Sequence, residues 1–163
     1  MRTAVAALDR ALAMIVGGGG ALVLPLSLLL FLQWPLREWV QLYSREANDV
    51  AQVLFALYVA LAVTAATRRH AHLAADALAR RFAEATRTRI ARIAALVVQL
   101  PWALFVLWSA WPIVAQSARE LEAFPDTFNP GYFLLKAAVA LLALAVALQA
   151  IVAVFGATPP AER

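Results

Sequence analysis

Four long apolar stretches limit what this chain of 163 residues can fold into. Residues 11–33, 93–118 and 137–161 contain no charged side chain, and a fourth uncharged run covers residues 50–67. A helix needs about 20 apolar residues to cross the hydrocarbon core of a membrane. The chain is also 64% hydrophobic and only 15% charged, which is unusual for a soluble domain. We therefore predict an all-α integral membrane protein.

The whole chain, residues 1–163, is expected to form one membrane domain, because four spanning helices leave no length for a second one. The predicted transmembrane helices cover approximately residues 11–33, 47–67, 93–116 and 133–156.

Basic residues are concentrated between the second and third predicted helices. Residues 68–92 hold seven of the fourteen Lys and Arg residues against two acidic ones, whereas acidic residues outnumber basic ones in 34–49 and 116–132. Connections rich in Lys and Arg stay on the cytoplasmic side of a membrane. We therefore expect residues 68–92 and both termini in the cytoplasm. Trp and Tyr favour membrane interfaces, so Trp108 and Trp111, late in the third helix, are expected in an outer aromatic belt.

The basic connection has the pattern of an amphipathic helix. A polar residue recurs every four positions from His72 through Asp76 to Thr88, while Leu78 and Phe82 lie on the other side. This pattern predicts a short helix within residues 72–90 that lies along the membrane surface with its apolar face down. The alternative is a helix that extends the third transmembrane helix into the cytoplasm.

The residues needed for several kinds of chemistry are absent. The chain has no cysteine, and its two histidines lie outside the predicted spans. No ionisable residue lies at mid-depth, because Asp49 and Lys136 are near helix ends. We therefore predict no enzymatic activity, no cofactor, no metal site and no transport path formed by this chain alone. The basic excess lies beside the membrane, which favours anionic lipids over nucleic acid as its counter-charge.

Small and amide residues within the helices are candidates for helix packing. Gly17, Gly18, Gly19 and Gly20 form a run that lets another backbone approach closely. That contact could be with a helix of another protein or with a helix of this same unit. Gln99 and Gln149 are expected at similar depth in the third and fourth helices, where a mutual hydrogen bond, a backbone carbonyl or a partner subunit could satisfy each amide.

The segment from Asn48 to Leu78 resembles the small membrane subunit of TRAP (tripartite ATP-independent periplasmic) transporters, the DctQ-like family. Members typically show an acidic residue that opens the second helix, then a basic pair, then a motif of His and Asp separated by small and hydrophobic residues. Asn48 stands where members often carry a second acidic residue. The positions in this chain that carry the resemblance, or lie in the same helices, are Asp49, Gln52, Arg68, Arg69, His72, Asp76 and Lys136.

The resemblance implies a non-catalytic subunit of the bacterial inner membrane. It also implies two partners, a large permease that carries the substrate and sodium sites and a periplasmic solute-binding protein. The small subunit is expected to be a scaffold for the large permease in ion-coupled uptake of an organic solute. The alternative is an autonomous tetraspan membrane protein, of assembly or sensor type, that takes no part in transport.

Overall fold

The computed structural model describes residues 2–39, 44–68 and 82–156, and within them the chain is helical except at residues 44, 82–83, 120–131 and 156. A 3₁₀ turn, Gly20–Leu22, joins the first two helices, and a π-helical turn, Ala95–Gln99, joins the fourth and fifth. The helices are α1 (Arg2–Gly19), α2 (Val23–Trp39), α3 (Arg45–Arg68), α4 (Glu84–Ala94), α5 (Leu100–Arg119) and α6 (Tyr132–Phe155). No strand occurs in these ranges, where Ala123 and Pro130 form an isolated β-bridge.

Four helical spans are long and apolar enough to cross a membrane, which confirms the prediction of an all-α chain with four such helices. The first, Thr3–Trp39, contains α1 and α2, and the second is α3. The third, Ala85–Arg119, contains α4, the π-helical turn and α5, and the fourth is α6. The first and third spans are longer than the apolar runs that identify them, because their helices continue into charged sequence at the ends.

The predicted surface helix is only partly within the described residues. Residues 72–81 of that segment, with His72 and Asp76, lie outside them. From Glu84 onward the chain is helical and continues through the π-helical turn into α5. For residues 84–90 the structure therefore has the alternative arrangement, in which the segment extends the third span.

The fourth span is the centre of the packing. It contacts the second and third spans extensively and also contacts α1, whereas the third span packs mainly on the fourth. Val146 and Ala147 form the core with Ala103 of the third span. Small side chains allow two helices to approach closely in a membrane. The buried alanines of the fourth span are Ala138, Ala143, Ala145, Ala147 and Ala150.

The glycine run divides between two environments, because neighbouring residues on a helix point about 100° apart. A Cβ atom at Gly19 would lie 2.6 Å from Cδ1 and 2.7 Å from Cβ of Leu61 in the second span. A Cβ atom at Gly17, Gly18 or Gly20 would meet no atom within 4 Å. Gly19 therefore permits internal packing, and its three neighbours face outward.

Replacing Gly19 and Gly18 by alanine should separate these environments. Gly19→Ala forces α1 away from the second span, and overpacking of this kind costs about 1–3 kcal/mol. Gly18→Ala is the matched control, and it should leave the midpoint of thermal unfolding in detergent unchanged or raise it, because alanine favours a helix by up to about 1 kcal/mol over glycine. Equal midpoints for the two variants would contradict the contact between Gly19 and Leu61.

Candidate functional site

Arg68 connects three spans at one end of the helices. Its Nη2 donates to Oδ1 of Asp9 in α1 at 2.7 Å, and its Nη1 donates to Oε1 of Gln149 in the fourth span at 2.7 Å. The side chain of Arg68 is 20% exposed and that of Asp9 is 45% exposed. A partly buried guanidinium needs such partners, because an unpaired charge in an apolar environment is costly. This contact therefore holds the ends of the first, second and fourth spans together.

Asp49 makes the corresponding contact at the opposite end of the second span. Its side chain is buried, with a residue exposure of 7%. Thr127 Oγ1, in the connection between the third and fourth spans, donates to Asp49 Oδ2 at 2.6 Å. A hydrogen bond to a carboxylate is shorter and stronger than one between neutral groups. The contact ties the start of the second span to a connection that is distant in sequence.

Glu122 forms a second polar contact in the same connection. Lys136, in the first turns of the fourth span, and Ser117, near the end of the third, both donate to Oε2 of Glu122. The hydrogen bonds from Lys136 and Ser117 hold the pKa of Glu122 below its ordinary value. Lys136 Nζ also lies 5.5 Å from the centre of the Tyr132 ring, within range of a cation–π interaction. The charge of Lys136 is therefore neutralised where the span begins.

The connection that carries Glu122 and Thr127 is a compact loop. Phe124 N–H donates to the Asn129 carbonyl, and Phe128 N–H donates to the Phe124 carbonyl, both at 2.9 Å. The buried Phe124 ring meets Tyr132 edge-on, with 5.6 Å between ring centres. Gly131 has φ 150°, and a Cβ atom there would lie 3.1 Å from the Phe124 ring. These contacts give Asp49 a fixed partner at Thr127.

The left-handed backbone of two non-glycine residues shows how far this loop is constrained. Leu121 has φ 48° and Phe128 has φ 59°. Such a conformation costs an ordinary residue about 1–2 kcal/mol. The surrounding hydrogen bonds and the packing of Phe124 therefore outweigh a local backbone preference.

The structure brings three of the predicted motif and helix residues into polar contacts. These are Asp49, Arg68 and Lys136, each at a helix end. Gln149 also takes part, as a partner of Arg68 instead of Gln99, while Gln99 lies partly buried in the π-helical turn. Gln52 is exposed on the second span. Arg69 lies outside the described residues, as do His72 and Asp76.

The sequence analysis did not identify Asp9, Ser117, Glu122 and Thr127 as partners. Asp9 could have been identified as a partner from the sequence, because it is the only acidic residue before Glu38. An acidic residue beside the end of a span is a natural partner for basic residues at the neighbouring helix ends. The sequence could not identify Thr127 as a partner of Asp49, because that contact depends on the conformation of the loop that carries Thr127. In residues 2–39, 44–68 and 82–156, no group of three or more His, Asp or Glu side chains could hold a metal ion.

Comparison with known proteins identifies the family. The family model described as "Tripartite ATP-independent periplasmic transporters, DctQ component" matches residues 26–159. The chain belongs to this family. No curated protein and no solved structure matched the chain.

Membership in the DctQ component family shows which kind of protein these contacts hold together. The chain is a small permease component of a TRAP transporter and a multi-pass protein of the inner membrane. Tripartite transporters of this family also contain a large permease and a periplasmic binding protein. Asp49 and Arg68, two residues on which the resemblance rests, hold helices together at opposite ends of the second span.

A double-mutant cycle should measure the contact between Asp9 and Arg68. We expect Arg68→Gln to lower stability in detergent more than Asp9→Asn, because Arg68 also loses its bond to Gln149. The coupling energy between the two positions should be about 0.5–1 kcal/mol, as for other partly exposed ion pairs. Arg89→Gln is the control, since Arg89 is an exposed arginine on α4. Strictly additive effects of the two substitutions would refute the contact.

Proposed function

We propose that this DctQ component is a non-catalytic scaffold that holds the large permease in its working position in the membrane. The complete transporter takes up an organic solute delivered by the periplasmic binding protein, and sodium is the coupling ion. In this division of labour the large permease binds the solute and the ion, and the small component supplies a fixed helical framework beside it.

The placement of charge is the observation that supports a scaffold most strongly. Charged residues occur at the ends of the four spans and not at mid-depth. Arg68 joins the second span to the first through Asp9, and Lys136 joins the fourth span to the loop before it through Glu122. An ion path through a membrane protein usually contains ionisable residues deep in the bilayer. The polar groups of this chain therefore favour a structural role over ion translocation.

Reconstitution tests the scaffold directly. Proteoliposomes with the large permease, the binding protein and this chain should take up solute when a sodium gradient is applied. Omitting this chain should abolish uptake, because the permease then lacks its framework. Equal uptake by the permease with and without this chain would refute the proposal.

The Asp49→Asn variant tests whether Asp49 takes part directly in transport. Asparagine keeps an oxygen that can accept the hydrogen bond from Thr127, but it removes the charge. A scaffold predicts an unchanged sodium concentration for half-maximal uptake. A shift in that concentration with normal assembly would instead indicate that Asp49 contributes to ion coupling.

We also propose that both termini and residues 68–92 are cytoplasmic, as the excess of basic residues there implies. The contact of Asp9 with Arg68 at one end, and of Asp49 with Thr127 at the other, supports an alternating course of the spans. The chain has no native cysteine, so single cysteines at Asn129 and Ala85, both exposed, report their side of the membrane.

An impermeant thiol reagent added to intact cells should label Asn129→Cys and leave Ala85→Cys unlabelled. Labelling of both variants after the membrane is permeabilised is the control for reactivity. The reverse pattern in intact cells would invert the proposed orientation.

A further inference from the structure

A polar cavity lies between the start of the second span and the connection that joins the third and fourth spans. It has a volume of about 280 Å³ and is lined by Arg45, Asn48, Asp49 and Asp126. One water molecule takes up about 30 Å³, so the cavity has room for a larger group. Arg45 and Asp126 are exposed, whereas Asn48 is half-buried and Asp49 is buried. The cavity therefore has an exposed, charged rim and a buried carboxylate below it.

The carboxylate of Asp49 has no counter-charge in the part of the chain that the structure describes. The ion pairs there do not include it, and the Thr127 hydroxyl that donates to its Oδ2 is neutral. Arg45, one helical turn earlier, lines the same cavity without forming an ion pair with Asp49. A buried carboxylate is costly unless a cationic group compensates its charge. Asp49 therefore favours the binding of a cation in the cavity.

The cavity lies at the level of the lipid headgroups. Asp49 directly precedes the uncharged run of residues 50–67, and Arg68 directly follows that run. As a helix the run is about 27 Å long, close to the hydrocarbon thickness of about 30 Å. The second span can therefore cross the hydrocarbon core only with Asp49 near one boundary and Arg68 near the other. This level is the same for either orientation of the chain in the membrane.

The charges around the cavity favour a zwitterionic ligand. The carboxylates of Asp49 and Asp126 can accept hydrogen bonds from an ammonium group. The guanidinium of Arg45 matches the geometry of phosphate oxygens. A purely anionic headgroup would be repelled by the two carboxylates, and Arg45 would oppose a bare metal ion. Calcium also needs six to eight oxygen ligands, more than these side chains supply. An ammonium joined to a phosphodiester satisfies both signs of charge at once.

We propose that this cavity binds the headgroup of an ethanolamine phospholipid. The ammonium lies between Asp49 and Asp126, the phosphodiester pairs with Arg45, and the acyl chains extend into the hydrocarbon. Because Asp49 belongs to the second span and Asp126 to the connecting loop, one bound headgroup joins the two, beside the contact from Thr127. This binding site is a property of the chain itself and does not depend on the proposed scaffold function.

Native mass spectrometry of the full chain in detergent tests the ligand class. The delipidated chain is titrated separately with dioleoyl phosphatidylethanolamine, phosphatidylcholine and phosphatidylglycerol. The ethanolamine lipid should bind at the lowest concentration, because choline has no N–H to donate and phosphatidylglycerol has no cation. Binding of phosphatidylglycerol as tight as that of the ethanolamine lipid would overturn the proposal.

A matched pair of variants tests the buried carboxylate. Asp49→Asn keeps an oxygen that can accept from Thr127 and removes the charge. It should weaken binding of the ethanolamine lipid about tenfold, as expected for the loss of one charge-assisted hydrogen bond. Glu46→Gln is the control, because Glu46 is an exposed carboxylate on the same helix that does not line the cavity. Equal lipid binding by the two variants would overturn the role of Asp49.

Two substitutions at the rim test the two halves of the headgroup separately. Arg45 and Asp126 are exposed, so their variants should unfold at the same temperature as the wild-type chain. Arg45→Gln should weaken binding of both the ethanolamine and the choline lipid, because both contain a phosphodiester. Asp126→Asn should weaken binding of the ethanolamine lipid alone. If neither variant changes lipid binding, the assignment is wrong, whether or not Asp49→Asn folds.

A basic side chain of the large permease is the other cationic group that could reach Asp49. Co-purification of the permease with the Asp49→Asn chain distinguishes the two occupants. Loss of the permease with unchanged lipid binding would overturn the proposal and assign the cavity to the permease. Loss of lipid binding with normal co-purification supports the headgroup. If the permease does not co-purify even with the wild-type chain, the scaffold proposal fails, and the lipid titration still decides this one.

Discussion

Close packing on the fourth span is the constraint on which the rest of the structure depends. In a bilayer, helices gain no hydrophobic advantage by leaving lipid for each other, so packing contacts and polar contacts must hold them together. The alanines of the fourth span let two other spans approach it. Each of those spans then places its end groups beside it, which brings Arg68 within reach of Gln149 and Lys136 within reach of Glu122.

The polar contacts fix how the packed helices are positioned relative to each other. Small apolar surfaces allow helices to slide or rotate against each other, whereas a hydrogen-bonded pair fixes both depth and rotation. Arg68 sets the position of the first span relative to the second and fourth at one end. Asp49, through Thr127, sets the second span relative to a loop at the other end. Because both lie in the second span, that helix aligns the others.

Local properties of the sequence predicted the four spans, and the structure confirms them. Length and hydropathy decide whether a helix can cross a membrane, and both can be read along the chain. The third helix was predicted to end at about residue 116, and in the structure it continues three residues further, to Arg119. The position of Trp108 in an outer aromatic belt remains a prediction. The cytoplasmic position of the termini remains a prediction.

Contacts between distant residues were harder to predict, because they depend on which helices are neighbours. A bond between Gln99 and Gln149 was a reasonable expectation from depth alone. The neighbour of Gln149 at that level is Arg68 of the second span, which is the stronger donor. The glycine run was considered as one surface, whereas its four residues point in different directions and Gly19 alone contacts Leu61.

The unequal lengths of the spans have a consequence for the surrounding lipid. The third span has 35 residues and the fourth has 24, which correspond to about 52 Å and 36 Å, against a hydrocarbon core of about 30 Å. On α4 of the third span, Arg87, Arg89 and Arg92 alternate with Ile90 and Ile93. Long arginine side chains can extend to the headgroups from several depths. The charged end of this helix therefore offers a graded boundary, which suits bilayers of different thickness.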